Sequence, residues 1–204
     1  MKIDKEKFQT RSLPAHLEVR EAADTENPKI EGYFSVFGDI YDMGYGLTES
    51  VDRHAFDETI AGDVRALVDH DTAKVLGRTS AHTLDLKVDE HGLWGSIDVN
   101  PNDTDAMNLY ARVKRGDVDQ CSFGFNIVNE ETDFRDDGSM HWTITDVNLF
   151  EVSACTFPAY SETNISARAA EKENVQKREL EAWKESMRRR INGAESVASE
   201  EEAG

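Results

Sequence analysis

Three residues far apart in the chain carry the chemistry of a hydroxyl-nucleophile hydrolase: Ser122, His70 and Glu151. A serine hydroxyl is a weak nucleophile near neutral pH. It needs a base within hydrogen-bond reach, and that base needs a group to orient it. Ser122 lies in Gln120-Cys121-Ser122-Phe123-Gly124-Phe125-Asn126-Ile127, where alternation places Cys121, Phe123, Phe125 and Ile127 on one face of a strand. That face belongs to the core, so Ser122 and Gly124 are expected to point away from it. The missing side chain at Gly124 then leaves room for a substrate backbone. His70 follows the apolar run Ala66-Leu67-Val68, at a strand end where a scaffold can offer side chains to a site. His16, His54, His82, His91 and His141 have polar settings without such a frame. Glu151 has the parity of Val147 and Leu149, so it continues an apolar face, and a desolvated carboxylate requires a partner. Orienting a histidine is one use for it and pairing with an arginine is another. Ser122, taken alone, reads more readily as an ordinary serine on a sheet surface. Cys121 is the rival nucleophile, and its core-facing parity speaks against it.

The elements that must position these residues read as mixed α and β. A first strand is expected over residues 30–37, and a short helix from Asp52 through Ile60. Val64 to Val68 forms a short apolar run. Residues 84–88 and 93–99 alternate as paired strands around the turn Asp89-Glu90-His91-Gly92. A helix is expected from about Asp103 to Arg115. Ala106, Leu109, Tyr110 and Val113 make its buried face, an Asn102 or Asp103 cap starts it, and Gly116 ends it. Two long strands follow, at about 120–128 and 141–155, joined through Asp136-Asp137-Gly138. Beyond residue 167 the chain turns rich in Ala, Glu, Lys and Arg. Leu180, Trp183, Met187 and Ile191 form a stripe at helical spacing, Asn192-Gly193 is expected to stop that helix, and the acidic end at Glu200-Glu201-Glu202 is expected to be disordered. The organisation is therefore a flexible N-terminus over 1–13, a catalytic domain over 14–168 and a charged tail over 169–204.

The 204 residues carry a formal charge of −18, which disfavours nucleic acid and anionic membranes as partners. The first ten residues have no apolar segment of the kind a secretory signal needs, and no run is long and apolar enough to span a bilayer. A cytoplasmic setting with reduced thiols is therefore expected. The two cysteines form no C-x-x-C pair and no histidines stand at H-x-x-x-H spacing, so no metal or other cofactor is expected.

A series of short blocks resembles the prohead maturation protease family of tailed phages. They are Ile30-Glu31-Gly32-Tyr33 with Val36-Phe37; His54-Ala55-Phe56; Val64 to Asp71, which contains His70; Leu76-Gly77-Arg78-Thr79; Arg115-Gly116-Asp117-Val118; Gln120 to Phe125, around Ser122; Leu149 to Ser153, around Glu151; and Thr156-Phe157-Pro158-Ala159-Tyr160. Each is weak singly, and the ordered set, spanning about Lys29 to Arg168, is specific. Two positions depart from the family pattern. Cys121 stands where Met is common, and Arg53-His54 where Pro-Gly is usual. The resemblance implies an α+β fold like that of herpesvirus capsid-assembly proteases: a mostly antiparallel β-barrel with flanking helices, here with a C-terminal helical tail. It implies His70 as base, Ser122 as nucleophile and Glu151 as third member. By analogy with a backbone donor near an arginine in the herpesvirus relatives, it places an oxyanion loop at Gly77 and Arg78. The implied substrate is the scaffold segment of the major capsid protein, and the chain itself is a further candidate. The implied setting is the assembling prohead in the host cytoplasm, with the protease as a homo-oligomer. A catalytically silent assembly protein with a protease-like fold is the alternative.

Overall fold

A computed structural model of the chain describes residues 8–13, 17–21, 27–157 and 162–201. Contacts divide the chain into two compact units, with the break between Ile165 and Ser166.

The larger unit is built mostly of strands. β1 (Gln9–Leu13), β10 (Gln120–Phe134), β11 (Met140–Cys155), β5 (Leu47–Val51) and β4 (Tyr41–Gly44) lie in that order in one sheet. β6 (Arg65–Val68) adds to β11, and β7 (Asp71–Arg78) to β6. A second sheet has the order β2 (Leu17–Arg20), β3 (Lys29–Val36), β9 (Gly92–Asp98), β8 (Leu84–Val88). β3 packs on β10 and β1, and α1 (Thr104–Arg115) packs on β2 and β3. The core is the apolar filling between these layers, including Ile30, Phe34, Phe56, Leu109, Phe123 and Phe125, each 2% exposed or less.

The fold is α+β and strand-rich, as expected. The barrel is corrected: among the described residues the strands make two sheets and no closed barrel. The reason lies in β11, 16 residues long, which takes β5 along its first part and β6 along its last, both parallel to it. The extra strands lengthen the sheet along β11 and do not close a ring.

α1 forms where expected. The Asp103 carboxylate accepts from the amides of Asp105 and Ala106, and the buried face is Ala106, Leu109, Tyr110 and Val113. The expected helix from Asp52 to Ile60 is instead a run of turns. Most of its amide bonds reach three residues back, as from Ala55 to Asp52 and from Asp57 to His54, so no i to i−4 ladder propagates. Part of the expected flexible N-terminus is strand β1, paired with β10; residues 1–7 lie outside the described residues. Helix α2 (Glu162–Glu201), which from Ser166 onward belongs to the C-terminal unit, continues past Asn192-Gly193 rather than stopping there. Glu200 and Glu201, expected to be disordered, belong to that helix, and Glu202 lies outside the described residues. So do His16 and residues 158–160 of the last family block.

Candidate active site

β10 presents its residues as parity requires: Cys121, Phe123, Phe125 and Ile127 are buried in the core. Ser122 lies opposite Ser153 of β11, and Gly124 opposite Glu151. Residues directly opposite share a face of a sheet, so Ser122, Glu151 and Ser153 are displayed together. Glu151 itself does not take the face that parity with Val147 and Leu149 predicts. Phe125 pairs with Leu149 and Gly124 with Glu151, so Phe150 is a bulge residue with no partner on β10. One extra residue reverses the alternation. Glu151 therefore leaves the face of Val147 and Leu149 and joins that of Ser122.

His70 is held by a strained turn. Val68 pairs with Asp71, leaving Asp69 and His70 as a two-residue hairpin loop with φ of +49° and +59°. Positive φ at both positions is the type I′ pattern, which Asn-Gly adopts at little cost. For L residues the left-handed region costs about 1–2 kcal/mol each. Tertiary bonds sustain it. The Asp69 amide donates to the Ala154 carbonyl at 3.0 Å, the Asp69 carboxylate accepts from the Thr156 amide at 2.8 Å, and the His70 amide donates to Ser153 Oγ at 3.2 Å.

The imidazole and the carboxylate meet: His70 Nδ1 lies 2.7 Å from Glu151 Oε1. Ser153 Oγ donates to the other oxygen, Oε2, at 2.6 Å. Glu151 is 4% exposed and is satisfied on both oxygens. An ionised carboxylate only accepts, so Nδ1 carries the proton of the neutral ring and Nε2 keeps its lone pair. That is the tautomer of a general base. Gly124 makes the arrangement possible, since a Cβ there would lie 2.0 Å from Glu151 Oε1 and 2.4 Å from the Phe8 ring. The space expected to receive a substrate backbone is thus filled by the Glu151 carboxylate and by Phe8.

Ser122 is fully buried, and its hydroxyl donates to the Arg11 carbonyl at 2.8 Å. Among the described residues no hydrogen bond joins it to His70. The polar neighbour of Nε2 is Cys155 Sγ, 3.8 Å away. Burial, with the Asp69 and Glu151 charges nearby, pushes the Cys155 thiol up to about 12. Burial raises the Cys121 thiol as well. Gly77 and Arg78 sit on β7, three strands from β10 in the sheet order β10-β11-β6-β7. A Cβ at Gly77 would meet the Thr83 carbonyl oxygen at 2.5 Å, and the Arg78 guanidinium grips Asp63 through Nε at 2.7 Å. These two residues are therefore not brought beside Ser122. The other described histidines are engaged elsewhere or exposed; His141, for example, sits between the Thr48 and Ser50 hydroxyls.

Ser153 and Cys155 escaped the sequence reading. Both stand at even spacing from Glu151, so strand parity from that residue already places them on its face.

A strand-borne serine sharing a sheet face with a buried His–Glu pair, on a two-sheet α+β scaffold, is an arrangement that a serine peptidase can use. Residues 15–178 match the model of the caudovirus prohead serine protease family, and the chain belongs to that family. It is a serine peptidase of phage capsid maturation. The prohead protease of Enterobacteria phage HK97 is 26% identical over 170 residues, covering 81% of this chain and 71% of that one. The solved structure of the bacteriophage T4 capsid assembly protease aligns over 74% of this chain and 99% of that chain, at 11% identity and a TM-score of 0.42.

Proposed function

We propose that Ser122 attacks the scissile peptide carbonyl, with His70 taking its proton through Nε2 and Glu151 holding the ring and stabilising its charged form. The observation that carries this reading is the 2.7 Å bond from His70 Nδ1 to a buried Glu151 on the face that displays Ser122. For catalysis the Ser122 hydroxyl leaves the Arg11 carbonyl and turns to Nε2. Collapse of the tetrahedral intermediate passes the proton from His70 to the leaving amine, and water then hydrolyses the acyl-serine. The substrate is the scaffold segment of the phage's major capsid protein, cut inside the assembling prohead in the host cytoplasm by a protease that works as a homo-oligomer. The C-terminal unit serves as the docking element for that segment.

Cys155, 3.8 Å from Nε2, supports a second reading as a thiol nucleophile. Its raised pKa weighs against it, because the thiolate is the reactive form. Co-expression with the capsid protein separates the two. Ser122→Ala abolishes fragment formation and Cys155→Ala retains most of it, read by fragment masses. The reverse pattern overturns the assignment of Ser122.

A further inference from the structure

Of the two strands paired with β10 at Ser122, the outer one, β1, is not part of the family match. β1 comprises residues 9–13, and the matched residues begin at 15. It nevertheless occupies the ground a substrate needs. Gln9 to Leu13 pair antiparallel with Phe125 to Cys121 over five consecutive positions, the ladder by which an extended peptide adds to a sheet edge. At the nucleophile it presents a peptide carbonyl, that of Arg11, to the Ser122 hydroxyl at 2.8 Å. Phe8, just before it, lies over Gly124 beside the Glu151 carboxylate. With β1 in place Ser122 has no exposed surface. No second peptide reaches it until β1 leaves.

The side chain of Arg11 shows what the edge selects. It is 7% exposed and lies against a small cavity that it lines together with Asp39, Tyr41, Phe123 and Glu49, the last itself 1% exposed. The guanidinium meets Glu49 in a two-point grip, through Nε to Oε1 and through Nη2 to Oε2 at 2.9 Å. Its Cζ lies 5.5 Å from the centre of the Phe125 ring. Planar bidentate pairing and a stacking aromatic suit a guanidinium, and a buried carboxylate facing a neutral or acidic side chain loses the charge compensation that a guanidinium gives it.

We infer that residues 9–13 are a tethered stand-in for substrate, and that the Glu49 pocket is the subsite for an Arg or Lys side chain on the acyl side of the scissile bond. A substrate strand replaces β1 on β10 and puts its own basic residue where Arg11 lies. Ser122 faces the carbonyl oxygen of Arg11, so β1 occupies the cleft as a blocker. This inference rests on Ser122 being the nucleophile.

The test uses the full chain and internally quenched peptides that differ only in the residue before the scissile bond: Arg, Lys, Gln or Glu. Arg and Lys peptides are expected to exceed the Gln peptide in kcat/KM by at least about 50-fold, with the Glu peptide slowest. Glu49→Gln should bring the Arg-to-Gln ratio to within about fivefold. Equal cleavage of the four peptides, or a ratio unchanged by Glu49→Gln, overturns the subsite. Arg11→Gln serves as a second variant, should Glu49→Gln not fold. By weakening the stand-in it should lower KM for the Arg peptide at least about tenfold. An unchanged KM overturns the blocking role. Labelling by a serine-reactive fluorophosphonate distinguishes the two levels of failure. Active protein unlabelled at Ser122 sinks the nucleophile assignment and this inference together. Labelled Ser122 without a preference for basic residues sinks this inference alone.

Discussion

The Glu151 carboxylate occupies the space that a side chain on Gly124 would fill, so two substitutions probe one contact from opposite sides. Glu151→Gln keeps the shape and removes the charge that orients His70; peptide hydrolysis should fall by about 10²–10⁴-fold while the urea midpoint moves little. Gly124→Ala keeps the charge and pushes the carboxylate aside, since its Cβ would lie 2.0 Å from Oε1. It should lower the rate as well and also cost about 1–3 kcal/mol of stability. Full activity in Gly124→Ala would show that the close approach is not needed. The buried Cys155 makes a separate prediction. Its thiol, ordinarily near 9, stands at about 12 in the fold. Between those values the unfolded chain loses the proton and the folded chain keeps it, so the unfolded state binds fewer protons and stability falls as pH rises. Denaturation midpoints should drop from about pH 9 upward, by at most about 1.4 kcal/mol per unit from this group, and Cys155→Ala should flatten that slope. A slope identical in Cys155→Ala would assign the alkaline loss to other groups.

At the scale of the element, the β6–β7 turn couples strain to position. His70 at φ +59° is a non-glycine residue in the left-handed region, held by the Ser153 hydroxyl beneath its amide. Asparagine tolerates that region well and a β-branched residue does not. His70→Asn should therefore remain within about 1 kcal/mol of the parent and hydrolyse nothing, whereas His70→Val should also lose about 1–3 kcal/mol, compared by urea melts. Equal stability of the two variants would mean that the turn relaxes and stores no strain. The bulge at Phe150 is the other decisive local feature, because it moves Glu151 from the core face to the face of Ser122.

At the scale of the whole molecule, the chain divides at residue 165 into a strand-built unit and a helical one. α2 carries Leu180 at 49% and Trp183 at 59% exposed, with Met187 half-buried. The side chain of Ile191, the fourth residue of the expected stripe, lies outside the described residues. A docking role for this helix predicts that removing residues 170–204 leaves cleavage of a small peptide nearly intact and reduces incorporation into proheads, scored by the protease content of purified particles. Loss of peptide cleavage on truncation would make the helix part of the folded enzyme instead.

Local pattern sufficed wherever the physics is local. The alternation of Cys121, Phe123, Phe125 and Ile127 identified the core face of β10, the capped periodicity of residues 103–116 identified α1, and the ordered short blocks pointed to the family. The same rule of alternation misplaced Glu151, because a bulge is set by pairing between two strands and neither strand's pattern shows it. Residues 9–13 have no distinctive composition, and they become a strand only because β10 offers an unpaired edge and Glu49 a partner for Arg11. The approach of Cys155 and Ser153 to His70, separated from it by more than 80 positions, likewise exists only once β6 has paired with β11. Chemistry and periodicity are properties of a segment and can be read along it. Register, edge occupancy and the meeting of distant side chains are properties of pairs of segments, and only the folded chain decides them.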